Sequence, residues 1–241
     1  MKTFDYTFKC LLTAAVAILA LSSCGKETEG VSKTTHYVEL ELTGGSDFFV
    51  SKGGAWNDPG CAALEGETDV SASVKVTGNV NTAATGMYPL TYSAMNKDNF
   101  PASVVRRVFV VDVTAPAPLS DGVYTVDKDS YRHVNSSGAE VAYGSNYEIT
   151  ITQVHPGVLR TSDLFGGWYA QRAGYGGAYA MEGYLMYYPD HSVKLLYSHV
   201  AGWGDGMDGM TGAYNPADGV LSLSPTYVGN YVFNQFISKK Q

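Results

Sequence analysis

The chain has 241 residues, with 16 Lys and Arg against 23 Asp and Glu and a formal net charge of −7. An acidic chain with no basic run is a poor candidate for binding nucleic acid or an anionic membrane surface. Its 45% hydrophobic content supports a real core in one or two domains. With 18 Tyr and 27 Gly, and no long stretch of i, i+3, i+4 apolar spacing, the pattern predicts an all-β fold.

Residues 1–23 read as a signal segment. Lys2 and Lys9 precede an apolar core, "CLLTAAVAILAL", which is shorter than the roughly 20 apolar residues a permanent span needs. A plain secretory signal cut near Ser23 would fit that core. Leu21-Ser22-Ser23-Cys24 also resembles the bacterial lipoprotein signal, which implies that Cys24 is lipidated and becomes the mature N-terminus. Acyl chains there would anchor the protein in a membrane without spanning it. The "GKETEG" that follows is similar to the export signal of Bacteroides-type surface lipoproteins, and implies an outer-membrane protein facing the cell exterior. Residues 24–35 are then a tether. Removing residues 1–23 takes Lys2, Lys9 and Asp5 and leaves 14 basic and 22 acidic residues. Cys61 remains as the one free thiol, so no intramolecular disulfide and no Cys-based zinc cluster is expected. Cys61 itself is predicted to be a small buried hydrophobe.

Residues 36–115 form the first predicted unit. "THYVELEL" alternates as an opening strand, and Asp58-Pro59-Gly60 suits a tight reversal. "DVSASVKVTG" follows, then "GMYPLTYSAM", whose Tyr88, Leu90 and Tyr92 share one face. "ASVVRRVFVVDV" closes the unit, setting Val105, Arg107, Phe109 and Val111 opposite Val104, Arg106, Val108 and Val110. Such strand spacing predicts a small β-sandwich. From the Asp-Pro-Gly turn through "GMYPLTY" to the Arg-plus-valine strand ending at Asp112, the segment resembles the DUF5011 kind of bacterial immunoglobulin-like domain. "NKDNFPAS" replaces that family's usual Asp-x-x-Gly-Asn turn, a change of loop and not of core. The resemblance implies a spacer or adhesion module without catalytic residues.

Pro116 and Pro118 mark residues 116–120 as an extended, stiff linker. Residues 121–241 hold 14 of the tyrosines and two of the three tryptophans. "NYEITITQV" sets Tyr147, Ile149 and Ile151 on one face against Glu148, Thr150 and Thr152. "YLMYYPDHSVKLLYSHV" reads as a hairpin turning at Pro189-Asp190-His191-Ser192, and later turns fall at Asp218-Gly219 and Gly229-Asn230. The prediction is a second antiparallel β domain, barrel-like or sandwich. "SDLFGGWY", "VAGWGDG" and the stretch from Gly212 to Lys240 resemble C-terminal domains of Bacteroides surface lipoproteins, including the DUF5012 group. That resemblance brings no defined activity.

Binding chemistry concentrates in "SDLFGGWYAQRAGYGGAY", residues 162–179. Trp168, Tyr169, Tyr175 and Tyr179 sit among glycines there, and Trp203 in "HVAGWGDGMDGM" adds a ring. Flat rings with polar edges stack on sugar faces and take hydrogen bonds at the rim; filling the core is the competing role. Asp205 and Asp208 are weak metal candidates, because their spacing fails the D-x-[DN]-x-[DN]-G loop. His36, His133, His155, His191 and His199 are scattered, with no H-E-x-x-H, G-x-S-x-G, P-loop or dinucleotide motif. Glu140, Glu148, Asp163 and Glu182 leave a glycosidase pair open, since strands bring distant carboxylates together. The expectation is a non-catalytic surface binding module without a cofactor, for a glycan or an outer-membrane protein partner. A structural accessory subunit is the alternative.

Overall fold

The structure, a computed structural model, describes residues 34–240. The signal segment, Cys24 and most of the tether lie outside the described residues. Seven strands build the first unit: β1 Val38–Leu42, β2 Asp47–Ser51, β3 Cys61–Glu65, β4 Thr68–Asp69, β5 Lys75–Thr77, β6 Gly86–Met95 and β7 Pro101–Val111. They form two sheets, β1-β3-β4 and β2-β7-β6-β5, in which β2 and β7 run parallel and the other pairs antiparallel. The two-sheet sandwich follows from the alternation. Leu90, Tyr92 and Val108 are buried between the sheets with Phe48, Val50 and Trp56 packed against them.

Arg106 lies in the same interior with no exposed surface. Its guanidinium pairs with Asp58 and donates to the carbonyls of Thr43 at 2.7 Å and Gly60 at 2.9 Å and to the Tyr92 hydroxyl at 2.7 Å. A buried cation is tolerable only when paired and hydrogen-bonded in this way. The Asp-Pro-Gly turn therefore does two jobs. Gly60, at a φ of 84°, donates its N–H to Asp58 Oδ1 at 3.0 Å, and the same carboxylate neutralises Arg106. Cys61 is half-buried at the edge of this core, more open than its residue type predicts.

Ten strands build the second unit: β8 Gly122–Val126, β9 Tyr131–Val134, β10 Ala139–Ala142, β11 Tyr147–His155, β12 Val158–Thr161, β13 Met181–Tyr187, β14 Val193–Val200, β15 Gly209–Asn215, β16 Val220–Tyr227 and β17 Tyr231–Lys239. All pairs are antiparallel. One path runs β10-β9-β17-β8-β11-β12-β13-β14, and β16 with β15 extends from the other edge of β17. The sheet curls until the β14 edge meets β15, through a bridge at Ser192–Ala213 and the Tyr214 N–H on the His191 carbonyl at 2.9 Å. Ile149, Ile151, Leu185, Leu221, Phe233 and Ile237 fill the interior. The hairpin turns fall where the sequence places them, between β13 and β14, β15 and β16, and β16 and β17.

The Pro-containing segment is not a free spacer. Ala117 and Leu119 are buried in the second core, and the Ala117 N–H donates to Gln153 Oε1 at 2.6 Å. The two units also share an apolar interface. Phe109 and Val111 of β7 pack with Val158, Tyr184 and Met186 of β12 and β13, and the Phe109 and Tyr184 rings stack at 4.4 Å. Arg107 caps it, gripping Asp47 by two bonds of 2.8 and 2.7 Å and reaching Glu182 at 2.9 Å and the Tyr184 hydroxyl at 2.9 Å. Desolvation works against the Arg107 charge, but Asp47 and Glu182 outweigh it and hold the guanidinium pKa above its ordinary value.

Candidate functional site

The β12–β13 loop carries the aromatic motif, and its root is pinned by a buried carboxylate. Asp163 accepts N–H bonds from Phe165 at 2.8 Å, Gly167 at 2.9 Å and Met181 at 3.0 Å. Desolvation pushes its pKa up to about 6, against the pull of those three donors. The Tyr143 hydroxyl and Gln235 Nε2, each at 2.6 Å, hold the carbonyls of Phe165 and Leu164. Gly167 has a φ of 86°, and a Cβ there would stand 2.6 Å from Tyr147 Cβ, so the bend requires glycine. A π-helical turn, Trp168–Arg172, follows.

This turn separates the two candidate aromatics it begins with. Trp168 is only 3% exposed and packs edge-on to Tyr143 and Phe233. The guanidinium groups of Arg132 and Arg172 stand 4.6 and 4.2 Å from its centroid. As a ligand-stacking residue Trp168 is thus corrected: core side chains and two cations already occupy its surroundings.

Tyr169 turns the other way and meets Trp203 edge-on at 4.8 Å. Tyr179 lies 4.9 Å from Trp203, Tyr175 lies 6.5 Å from it, and Tyr169 and Tyr175 stack at 6.0 Å. Trp203 is 41% exposed and Tyr175 55%. Four of the five predicted aromatics therefore converge on one open patch at the loop end of the curled sheet. Tyr227 adds a fifth ring, stacked on Trp203 at 6.0 Å.

The loop bearing Trp203 is docked through its backbone. Gly202 donates to the Ala178 carbonyl at 2.7 Å, and a Cβ on it would fall 2.6 Å from the Tyr179 ring. Asp205 accepts the Tyr227 hydroxyl at 2.9 Å. Burial first, then that bond, raises the Tyr227 pKa. Asp208 Oδ2 accepts the Gly229 N–H at 2.7 Å. Both candidate metal ligands are thus engaged as loop fasteners, and no cluster of three His, Cys, Asp or Glu stands together among the described residues.

The carboxylates left open for a glycosidase pair are engaged too. Glu182 bonds Arg107 and Arg160, Glu148 bonds Lys240 at 2.5 Å, Glu140 faces His133 at 3.4 Å, and Asp163 serves the backbone. Sequence reading missed Arg132, Arg172, Tyr227 and Tyr231. The one available signal was the Gly229-Asn230 turn, which holds Tyr227 and Tyr231 at the same rim.

A family model for a C-terminal domain matches residues 112–239, and a bacterial surface protein Ig-like domain matches residues 40–110. A search of curated proteins gives no significant match. Among solved structures, the lipoprotein BT2262 from Bacteroides thetaiotaomicron is 40% identical, over 84% of this chain and 100% of that one, with a TM-score of 0.48. A Clostridium perfringens ZmpB fragment, its second CBM51 module in complex with GlcNAc together with INT domains, is 14% identical over 51% of this chain and 31% of its own, at a TM-score of 0.32. That second likeness is too weak to carry an argument. The sequence identity and the two domain matches agree with the sandwich and curled sheet described above: the chain belongs to the family of bacterial surface lipoproteins that includes BT2262, an Ig-like domain followed by that family's C-terminal β domain.

Proposed function

We propose that the protein is a non-catalytic binding module for a glycan, held on the outer membrane by a lipid on Cys24 and facing the cell exterior. Trp203 carries this reading. It is a large ring left open to solvent, and Tyr169, Tyr175 and Tyr179 frame it. Burial of an exposed indole face against a sugar, with tyrosine hydroxyls at the rim, is a strong source of glycan affinity. The engagement of Asp205 by the Tyr227 hydroxyl and of Asp208 by the Gly229 N–H supports recognition over hydrolysis.

The test is a glycan array and affinity-gel screen of the mature lipoprotein, repeated with Trp203→Ala. Expected is a loss of about tenfold or more in affinity, the worth of roughly 1.4 kcal/mol, with the melting temperature nearly unchanged. A large drop in melting temperature would assign the ring to the core and remove the basis of the reading. If no glycan is retained, a structural accessory role in an outer-membrane assembly is the better account.

A further inference from the structure

Among the described residues, two arginines near the aromatic patch have no carboxylate partner. The chain has five arginines. Arg106 pairs with Asp58, Arg107 with Asp47 and Glu182, and Arg160 with Glu182. Arg132 and Arg172 pair with no carboxylate among the described residues. Arg172 is exposed and commits only its Nε, to the Tyr143 carbonyl at 3.1 Å. Arg132 has its Nε buried with no acceptor, while its guanidinium is held between the Trp168 ring at 4.6 Å and the Tyr231 ring at 4.7 Å.

Arg132 lies one ring from the open patch. Tyr169 is close enough to Arg132 for its charge to oppose the desolvation that raises the tyrosine pKa, and Tyr169 touches Trp203 on its other side. Arg172 sits three residues on in the same π-helical turn. Trp168 holds both guanidinium groups in place by cation–π contact, which makes it a positioning residue. The patch is polar from end to end. Asp205 and Asp208 lie on the Trp203 side, bonded to Tyr227 and Gly229, and Arg132 lies beyond Tyr169.

We infer that the ligand is an acidic glycan, its sugar rings on Trp203 and the tyrosines and its carboxylate at Arg172 and Arg132. This rests on the glycan-binding reading above and names the ligand class. Guanidinium presents a planar fork that matches a carboxylate by two parallel hydrogen bonds, so it favours this anion in a way a point charge does not. The chain's net negative charge does not prevent approach, because exposed charges beyond about 10 Å are screened at roughly 0.1 M salt.

The experiment is affinity electrophoresis of the mature lipoprotein in gels containing polygalacturonate, its fully methyl-esterified form, dextran or dextran sulfate. Expected is retardation by polygalacturonate that is lost on esterification, weakened by salt, and reduced about tenfold by Arg172→Gln. Arg172→Lys, which keeps the charge and loses the fork, should retain only part of the binding. Trp203-dependent retardation by the ester or by dextran as strong as by the acid would overturn the acidic assignment and leave glycan binding standing. Retardation by dextran sulfate equal to that by polygalacturonate would reduce the site to a general anion patch. Mobility unchanged in every gel would remove both the assignment and the reading beneath it.

Discussion

At the scale of single residues, two neighbouring charges show how far a side chain's role depends on what the fold brings to it. Arg106 and Arg107 are neighbours in a valine-rich strand, and alternation places them on opposite faces. Nothing local says that one plugs the sandwich while the other fastens two domains. Asp163 is the clearer case for experiment. Its carboxyl titrates at about 6 in the folded chain, raised by burial from the ordinary 3.8. Between those values the folded chain holds the proton and the unfolded chain does not. The group's favourable contribution is therefore full below the unfolded value and lost as pH rises through the folded one. Wild type should lose melting temperature between about pH 4 and about pH 7 more steeply than Asp163→Asn, as followed by thermal denaturation across that range. Equal slopes would mean the carboxyl is not desolvated.

At the scale of elements, the site is made by loops that the strands hold at fixed spacing. The turns at Asp190, Gly219 and Gly229 were legible because Pro, Asp and Gly break a strand wherever they occur together. The loop-to-loop docking was not, since Gly202 looks like any glycine until Tyr179 is seen against it. Gly202→Ala should push the Trp203 loop off the 177–179 turn. The expected result is a shift in Trp203 fluorescence and weaker ligand retention, with a global melting temperature close to wild type. An unchanged emission spectrum would show that the loop has room to spare. Trp168 and Trp203 make the complementary point. Both lie in Gly-rich segments of the same character, yet one is core and the other surface. The difference arises because a π-helical turn sends adjacent side chains, Trp168 and Tyr169, to different environments.

At the scale of the whole molecule, the two domains are joined by an apolar contact with polar bonds beside it. Phe109 and Tyr184 stack across the boundary, Tyr188 donates to Asp112 at 2.7 Å, and Arg107 bonds groups from both sides. Interfaces that are small and polar permit domain motion, whereas apolar ones resist it. Arg107→Ala leaves Asp47 without its cation and Glu182 with Arg160 alone. Its cost should lie between the roughly 1 kcal/mol of an exposed pair and the roughly 3 kcal/mol of a buried one. Calorimetry should then resolve the single unfolding transition of the wild type into two, one for each domain. A single transition at a slightly lower temperature would mean the apolar contacts suffice alone.

Read by itself, the amino-acid order determined the β class, the Ig-like first domain, the antiparallel second domain with its turns, and four of the aromatics that share a patch. The β class, the strands and the turns depend on period-two alternation, turn chemistry and residue type, all local along the chain, and the Ig-like assignment on the resemblance of residues 58–112 to a known family. The parallel β2–β7 pair, the closure of β14 on β15, the locked interface and the arginines around Trp168 were decided only by tertiary structure. Each joins residues whose separation in sequence carries no signal. Arg132 and Trp168, for example, are neighbours because β9 and the β12–β13 loop meet at one end of the curled sheet.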